Sequence, residues 1–313
     1  MKLKSIFAAV RFVLILMLLS ACNMPQSSKP APTQTPEASP ATGIQYHFVT
    51  NRLLIPATQE QAQAFGVNVD GDSQQQPDNL VGKLLTLLTA TVPSLEIQST
   101  IDQAMNSGQL ISLHVVTADN LMNDSNVSWL IMQGQNSESA PAFDGSDRFV
   151  PDASVPVNLP IIGTLTNGHF SGGPGMAHIR VFLMNQLVEF DLIGVHIEAD
   201  LSAMGCANGK VGGGVTVDEF RGKLLPAIAN GLNQIIKMDQ TMANTILPVF
   251  DADQDGIITA KELENNALLM LAASPDLDLL DASGKFNPGQ DGVKDSYSIG
   301  LGFTCVPASF PAP

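Results

Sequence analysis

The sequence predicts an α+β fold: an antiparallel, β-rich core, either a sandwich or a helix-covered sheet, followed by a C-terminal helix–loop–helix module. Three patterns carry that assignment. Across residues 110–201 apolar and polar side chains alternate in short runs, the period of strands with one buried and one wet face, which belong to antiparallel sheets. On both sides of this region, at 80–88 and again at 217–235, the apolar spacing becomes helical. Finally, residues 251–262 set acids at alternate positions around a glycine.

The chain opens with Lys2, Lys4 and Arg11 around an apolar run at residues 12–19, too short to span a bilayer as a stable helix, and ends that stretch on Leu19-Ser20-Ala21-Cys22. This order of basic, apolar and small-residue parts resembles a bacterial lipoprotein signal, in which the cysteine is lipidated and becomes the first residue of the mature chain. The resemblance implies loss of residues 1–21, a membrane anchor at Cys22, and a place in the bacterial cell envelope. Asn23 rather than aspartate follows the cysteine, and the resemblance to enterobacterial lipoprotein sorting implies the outer membrane. Residues 22–42 are rich in Pro, Ser and Thr and nearly free of large apolar groups, so they read as a disordered tether. A mixed main domain is expected over 43–215, and a helical module with a closing strand over 216–313.

After the tether, residues 46–55 pattern as a strand and 58–65 as a short helix. Asn68, Asp70 and Asp72 then repeat an alternate-residue rhythm, with Asn79 at the twelfth place. Ser73 stands where a cation loop wants glycine, and no acid closes the ligand shell. The stretch resembles degenerate loops such as those of dockerins. It reads either as a second calcium site or as a solvated turn. Two helical faces follow, Leu80, Val81, Leu84, Leu87 and Leu88, then Ile97, Ile101, Ala104 and Met105, the second ended by Gly108.

Strand patterning begins at Ile111, Leu113 and Val115 and continues over 127–132, 161–165 and 178–183. Val188, Phe190 and Leu192 alternate in one parity, and Val195, Ile197, Ala199 and Leu201 in the other, so a bulge or tight turn is expected at Ile193-Gly194. Residues 209–214 are glycine-rich without the Lys-Ser/Thr ending of a phosphate loop, and read as a flexible turn. Thr216 and Glu219 have capping-box spacing before a long apolar stripe, bent near Pro226. Pro248 predicts a short or kinked helix ahead of the acidic loop. Residues 297–303 close the chain as a strand.

The acidic loop itself reads Asp251-Ala-Asp253-Gln-Asp255-Gly256-Ile257-Ile258-Thr259-Ala-Lys-Glu262. Residues two apart in a curling chain aim at a common centre, and a hard cation such as calcium takes six to eight oxygens. The stretch resembles the EF-hand family over the whole loop. That resemblance assigns calcium ligands to Asp251, Asp253, Asp255, the carbonyl of Ile257, Thr259 through water, and Glu262 with both oxygens. It also implies that a lone loop lacks the partner that normally shares the backbone bridge at Ile258.

Composition bounds the rest. The formal charge of −15 deepens to −18 once Lys2, Lys4 and Arg11 are removed, and ten of thirty carboxylates crowd into residues 251–295. Such a chain is repelled by phosphate backbones, so nucleic acid is not an expected partner. Cys206 and Cys305 remain after lipidation. In an exported chain they pair as a disulfide, or else they are two separate buried thiols. The histidines His47, His114, His169, His178 and His196 form no HExxH. Ser171 beside His169 lacks a nucleophile-elbow motif, and His169 and His178 with Glu189 or Asp191 have no metal-specific spacing.

The expected function is therefore calcium binding, chiefly structural, in a lipid-anchored envelope protein without enzymatic activity. Lipobox, β-rich middle and terminal EF-hand loop together look like uncharacterised surface lipoproteins of myxobacteria and their relatives. The alternatives are a secreted hydrolase braced by calcium, and a calcium-dependent adhesion or matrix-binding module. The protein or glycan partner is unknown.

Overall fold

The computed structural model describes residues 41–71, 77–92, 96–184, 186–270 and 274–311. The expected signal segment, Cys22, nearly all of the tether, and Asp72 lie outside them. Pro40–Pro313 forms one compact unit.

Eight antiparallel strands form its centre: β1 (Ile44–Leu54), β2 (Ser112–Ala118), β3 (Asn123–Gln133), β4 (Ile161–Thr166), β5 (His169–Leu183), β6 (Gln186–Ser202), β7 (Gly205–Thr216) and β8 (Ser296–Pro307). Each pairs with its sequence neighbour, and β8 returns to pair with β1, closing a barrel. The antiparallel β-rich core is thus present, but as one closed sheet and not as a sandwich. Closure removes the two exposed edges that an open sheet would carry. Because β8 lies between β7 and β1, the end of the chain is part of the barrel.

Helices occupy two crossovers. Between β1 and β2 lie α1 (Gln59–Ala64), α2 (Leu80–Thr91) and α3 (Ile97–Asn106). Between β7 and β8 lie α4 (Val217–Glu219), a π-turn (Phe220–Leu224), α5 (Leu225–Met238), α6 (Gln240–Phe250), α7 (Ala260–Asn265) and α8 (Ala267–Met270). Thr58, Asn79, Thr216 and Asp239 cap helix starts through side-chain oxygens. Just before Pro226, where a bend is expected, stands a π-turn in which Leu225 N–H reaches back to the Phe220 carbonyl. α6 runs through Pro248 to Phe250 over 11 residues, an ordinary helix length, so the proline does not cut it short. Among the described residues no helix is long and apolar enough to cross a membrane.

Alternate residues of β1–β3 feed two cores. Phe48, Val116, Trp129 and Ile131 join the main one, shared with α2, α3 and α5. Val49, Leu113, Val115 and Leu130 join a second, closed by Phe149 and Phe310. His114 is a fully buried core residue: Trp129 Nε1 donates to its Nδ1 at 3.0 Å, so Nε2 carries the proton and donates to Thr50 Oγ1 at 2.7 Å. Burial pushes its pKa down to about 3. In β6 the parity flip falls where expected: Gly194 has φ +62°, the register shifts between Ile193 and His196, and both apolar sets stay buried.

Residues 209–214 correct the flexible-turn reading, since they lie inside β7. Glycine is a poor strand former by propensity, but here it lets other parts of the fold press onto the sheet. A Cβ at Gly212 would collide with Val67, and one at Gly214 with Leu279. β5 also extends eight residues before Ala177, through a Gly-Pro-Gly run that hides its alternation. Cys206 and Cys305 face each other across β7 and β8 and form a disulfide spanning 99 residues of sequence.

Candidate metal centre

α6 ends at Phe250 and delivers Asp251 to the start of the acidic loop. One carboxylate oxygen each from Asp251, Asp253 and Asp255 lies within 4.8 Å of the others. Gly256, at φ +84°, makes the turn that curls the chain about that point, in a conformation that L side chains rarely adopt. Local hydrogen bonds hold the curl: Gly256 N donates to Asp251 Oδ2 at 2.9 Å, and Ile257 N to Asp255 Oδ1 at 2.8 Å.

Glu262 ties the two ends of the loop together. Its Oε1 accepts from Ala252 N at 2.8 Å, and its Oε2 from Thr259 N at 2.8 Å and Thr259 Oγ1 at 2.9 Å. Thr259 Oγ1 in turn accepts from Glu262 N at 3.1 Å, completing the capping box of α7. These bonds, that from Thr259 N–H first, pull Glu262 below the usual carboxylate range. Asp253 moves the other way. The Asp255 N–H lowers it, but desolvation and the nearby charges of Asp255, Glu262 and Asp251 outweigh that bond and raise it. Mutual repulsion of this kind is what a divalent cation relieves.

The loop is anchored from below. Ile258 and Leu263 are buried in the main core. The backbone of Ile258 is bonded to Asn233 of α5: its N–H donates to Oδ1 at 2.8 Å, and its carbonyl accepts from Nδ2 at 2.7 Å. Sequence reasoning missed Asn233, because nothing in a helical stripe says that one polar residue faces a loop 25 positions on.

In the second expected calcium loop Asn79 does not serve as a ligand, and Asp72 lies outside the described residues. Asn79 is fully buried and fully used: Oδ1 accepts from Gly82 N and Gly300 N at 2.9 and 2.8 Å, and Nδ2 donates to Ala62 O and Gly300 O at 2.9 and 3.0 Å. An amide has no further valence for a cation. Asn68 is exposed, and among the described residues Asp78 lies near Asp70. Desolvation first, then repulsion by Asp70 and Asp276, pushes Asp78 up to about 6 against the lowering bond from Val69 N–H.

The histidines do not converge either. His169 Nδ1 meets Asp200 Oδ1 at 2.8 Å, and His178 Nδ1 meets Asp191 Oδ1 at 2.8 Å. Nine positions of β5 separate the two, about 30 Å at strand rise, so they cannot share a metal. Ser171 is paired in register with Glu198. An apolar cavity of about 250 Å³ lies elsewhere, between α2, α5 and α7, with the Arg221–Glu264 ion pair (2.7 Å) in its wall. Neither His169 nor His178 lines it.

Compared with protein-family models, with curated proteins and with solved structures, the chain matches none.

Proposed function

We propose that this is a calcium-binding, lipid-anchored protein of the bacterial envelope, in which the ion braces an EF-hand helix–loop–helix and no reaction is catalysed. The observation that carries the reading is the convergence of Asp251, Asp253 and Asp255 on one point of a loop whose two ends Glu262 joins. Three carboxylates at that spacing, the Ile257 carbonyl, Thr259 through water and a bidentate Glu262 supply the oxygen count that calcium needs. Extracellular sites of this class bind at about 10⁻⁴ to 10⁻³ M, which suits an ion held permanently where calcium is plentiful. The anchor rests on Cys22 and its preceding segment alone.

Calorimetric titration of residues 40–313 with calcium, together with melting in calcium and in EDTA, tests the ion. Calcium raises the melting temperature, and Asp251→Ala with Glu262→Ala abolishes both the heat and the shift. No binding heat and identical melting in EDTA would overturn the reading. The anchor is tested by the mass of the N-terminal peptide from the envelope fraction, where an unmodified Cys22 sinks it.

A further inference from the structure

We infer that Asn233 is the positioning residue of the 251–262 loop, taking the place that a second loop would otherwise fill. This deepens the calcium reading and rests on it. In an antiparallel pair, two facing residues exchange both of their N–H···O bonds. The side-chain amide of Asn233 presents the same acceptor and donor side by side to the peptide groups of Ile258, at 2.8 and 2.7 Å. A lone loop that lacks a partner strand therefore finds one on a helix.

The placement matters because Ile258 stands between two of the ligand-bearing positions, Ile257 and Thr259. Its side chain is 1% exposed, and Leu232, next to Asn233, is 0% exposed, so both ends of the contact are fixed in the main core. Holding the Ile258 backbone sets the direction of the Ile257 carbonyl and the distance from Asp255 to the start of α7, which carries Glu262. The loop is thereby curled before an ion arrives, and binding has less chain to order. The same contact occupies the loop's bridging edge, so calcium does not pair two chains through it.

The test uses residues 40–313 as wild type, Asn233→Ala, Asn233→Asp and, as a control for general destabilisation, Val116→Ala in the barrel. Asn233→Asp keeps the acceptor for Ile258 N–H but sets an oxygen against the Ile258 carbonyl in place of the donor, and it covers the case in which Asn233→Ala fails to fold. Calcium affinity is read by calorimetry, melting is read in calcium and in EDTA, and mass is read by sedimentation. Affinity falls about tenfold or more in Asn233→Ala, consistent with leaving a buried peptide unpaired, and it falls too in Asn233→Asp, where the Ile258 carbonyl meets an oxygen in place of its donor. Val116→Ala lowers melting equally with and without calcium and leaves the affinity unchanged. Wild type stays monomeric when calcium is added. Wild-type binding with unchanged affinity in both Asn233 variants overturns the assignment of Asn233 alone, as does calcium-induced dimerisation. Absence of binding in the wild type overturns the calcium reading and this inference with it.

Discussion

Residues 68–79 and 251–262 share an alternate-residue rhythm, with Asn68 where the later stretch has Asp251, and their twelfth residues turn in opposite directions. In the later stretch the twelfth residue, Glu262, turns back to the loop and bonds both of its ends. In the earlier one the twelfth residue, Asn79, turns into the protein, where it joins α1, the start of α2 and β8 through four hydrogen bonds. What the comparison teaches is that spacing proposes a ligand set, while the direction of the closing residue decides whether the set can assemble.

Four experiments break or sharpen that contrast. The largest effect belongs to Asn79→Ala, which leaves buried donors and acceptors without partners. Its loss is on the order of 4 kcal/mol, seen in urea unfolding, and calcium does not restore it. Cys206→Ala with Cys305→Ala costs about 3 kcal/mol, the middle of the range typical of a native disulfide. The span between the two brackets residues 251–262 and not 68–79, so hydrogen exchange should rise more in the later loop. Asp251→Ala with Glu262→Ala erases the calcium-dependent melting shift, while Asp70→Ala leaves it intact. A shift that survived the double variant, or vanished with Asp70→Ala, would reverse the roles of the two loops.

The smallest effect is the pH dependence carried by Asp78. Its folded pKa of about 6 lies above the usual carboxylate value, so the folded state holds the proton more tightly than the unfolded one. The stabilisation is fully present below the unfolded value of 3.8 and is lost as pH rises through about 6. Asp78→Asn should flatten that part of the stability profile by on the order of 1 kcal/mol, after discounting for solvent screening. Glu262, held below its ordinary value, contributes with the opposite sign: its stabilisation is present at neutral pH and fades on acidification.

Much of the strand pattern was readable because a barrel wall still has an inside and an outside, and alternation records that locally. Even the parity flip at Ile193-Gly194 could be read, since a one-residue bulge leaves its mark within the run itself. The glycines of β7 misled for the converse reason. Their small size answers to Val67 and Leu279, which reach them from distant parts of the chain. Closure of the sheet was not readable at all, because the pairing of β8 with β1 joins residues about 250 positions apart.

By itself, then, the sequence determined much of the strand alternation, some helix starts such as Thr216, and which acids stand at ligand spacing, since each depends on neighbours within a few positions. Tertiary structure alone decided that the sheet is a barrel, that Asn79 serves the core, and that Asn233 holds Ile258, and it chose the disulfide of Cys206 and Cys305 over two separate thiols. Each of those is a contact between segments far apart along the chain, and the direction in which a side chain points across such a gap is set by packing rather than by period.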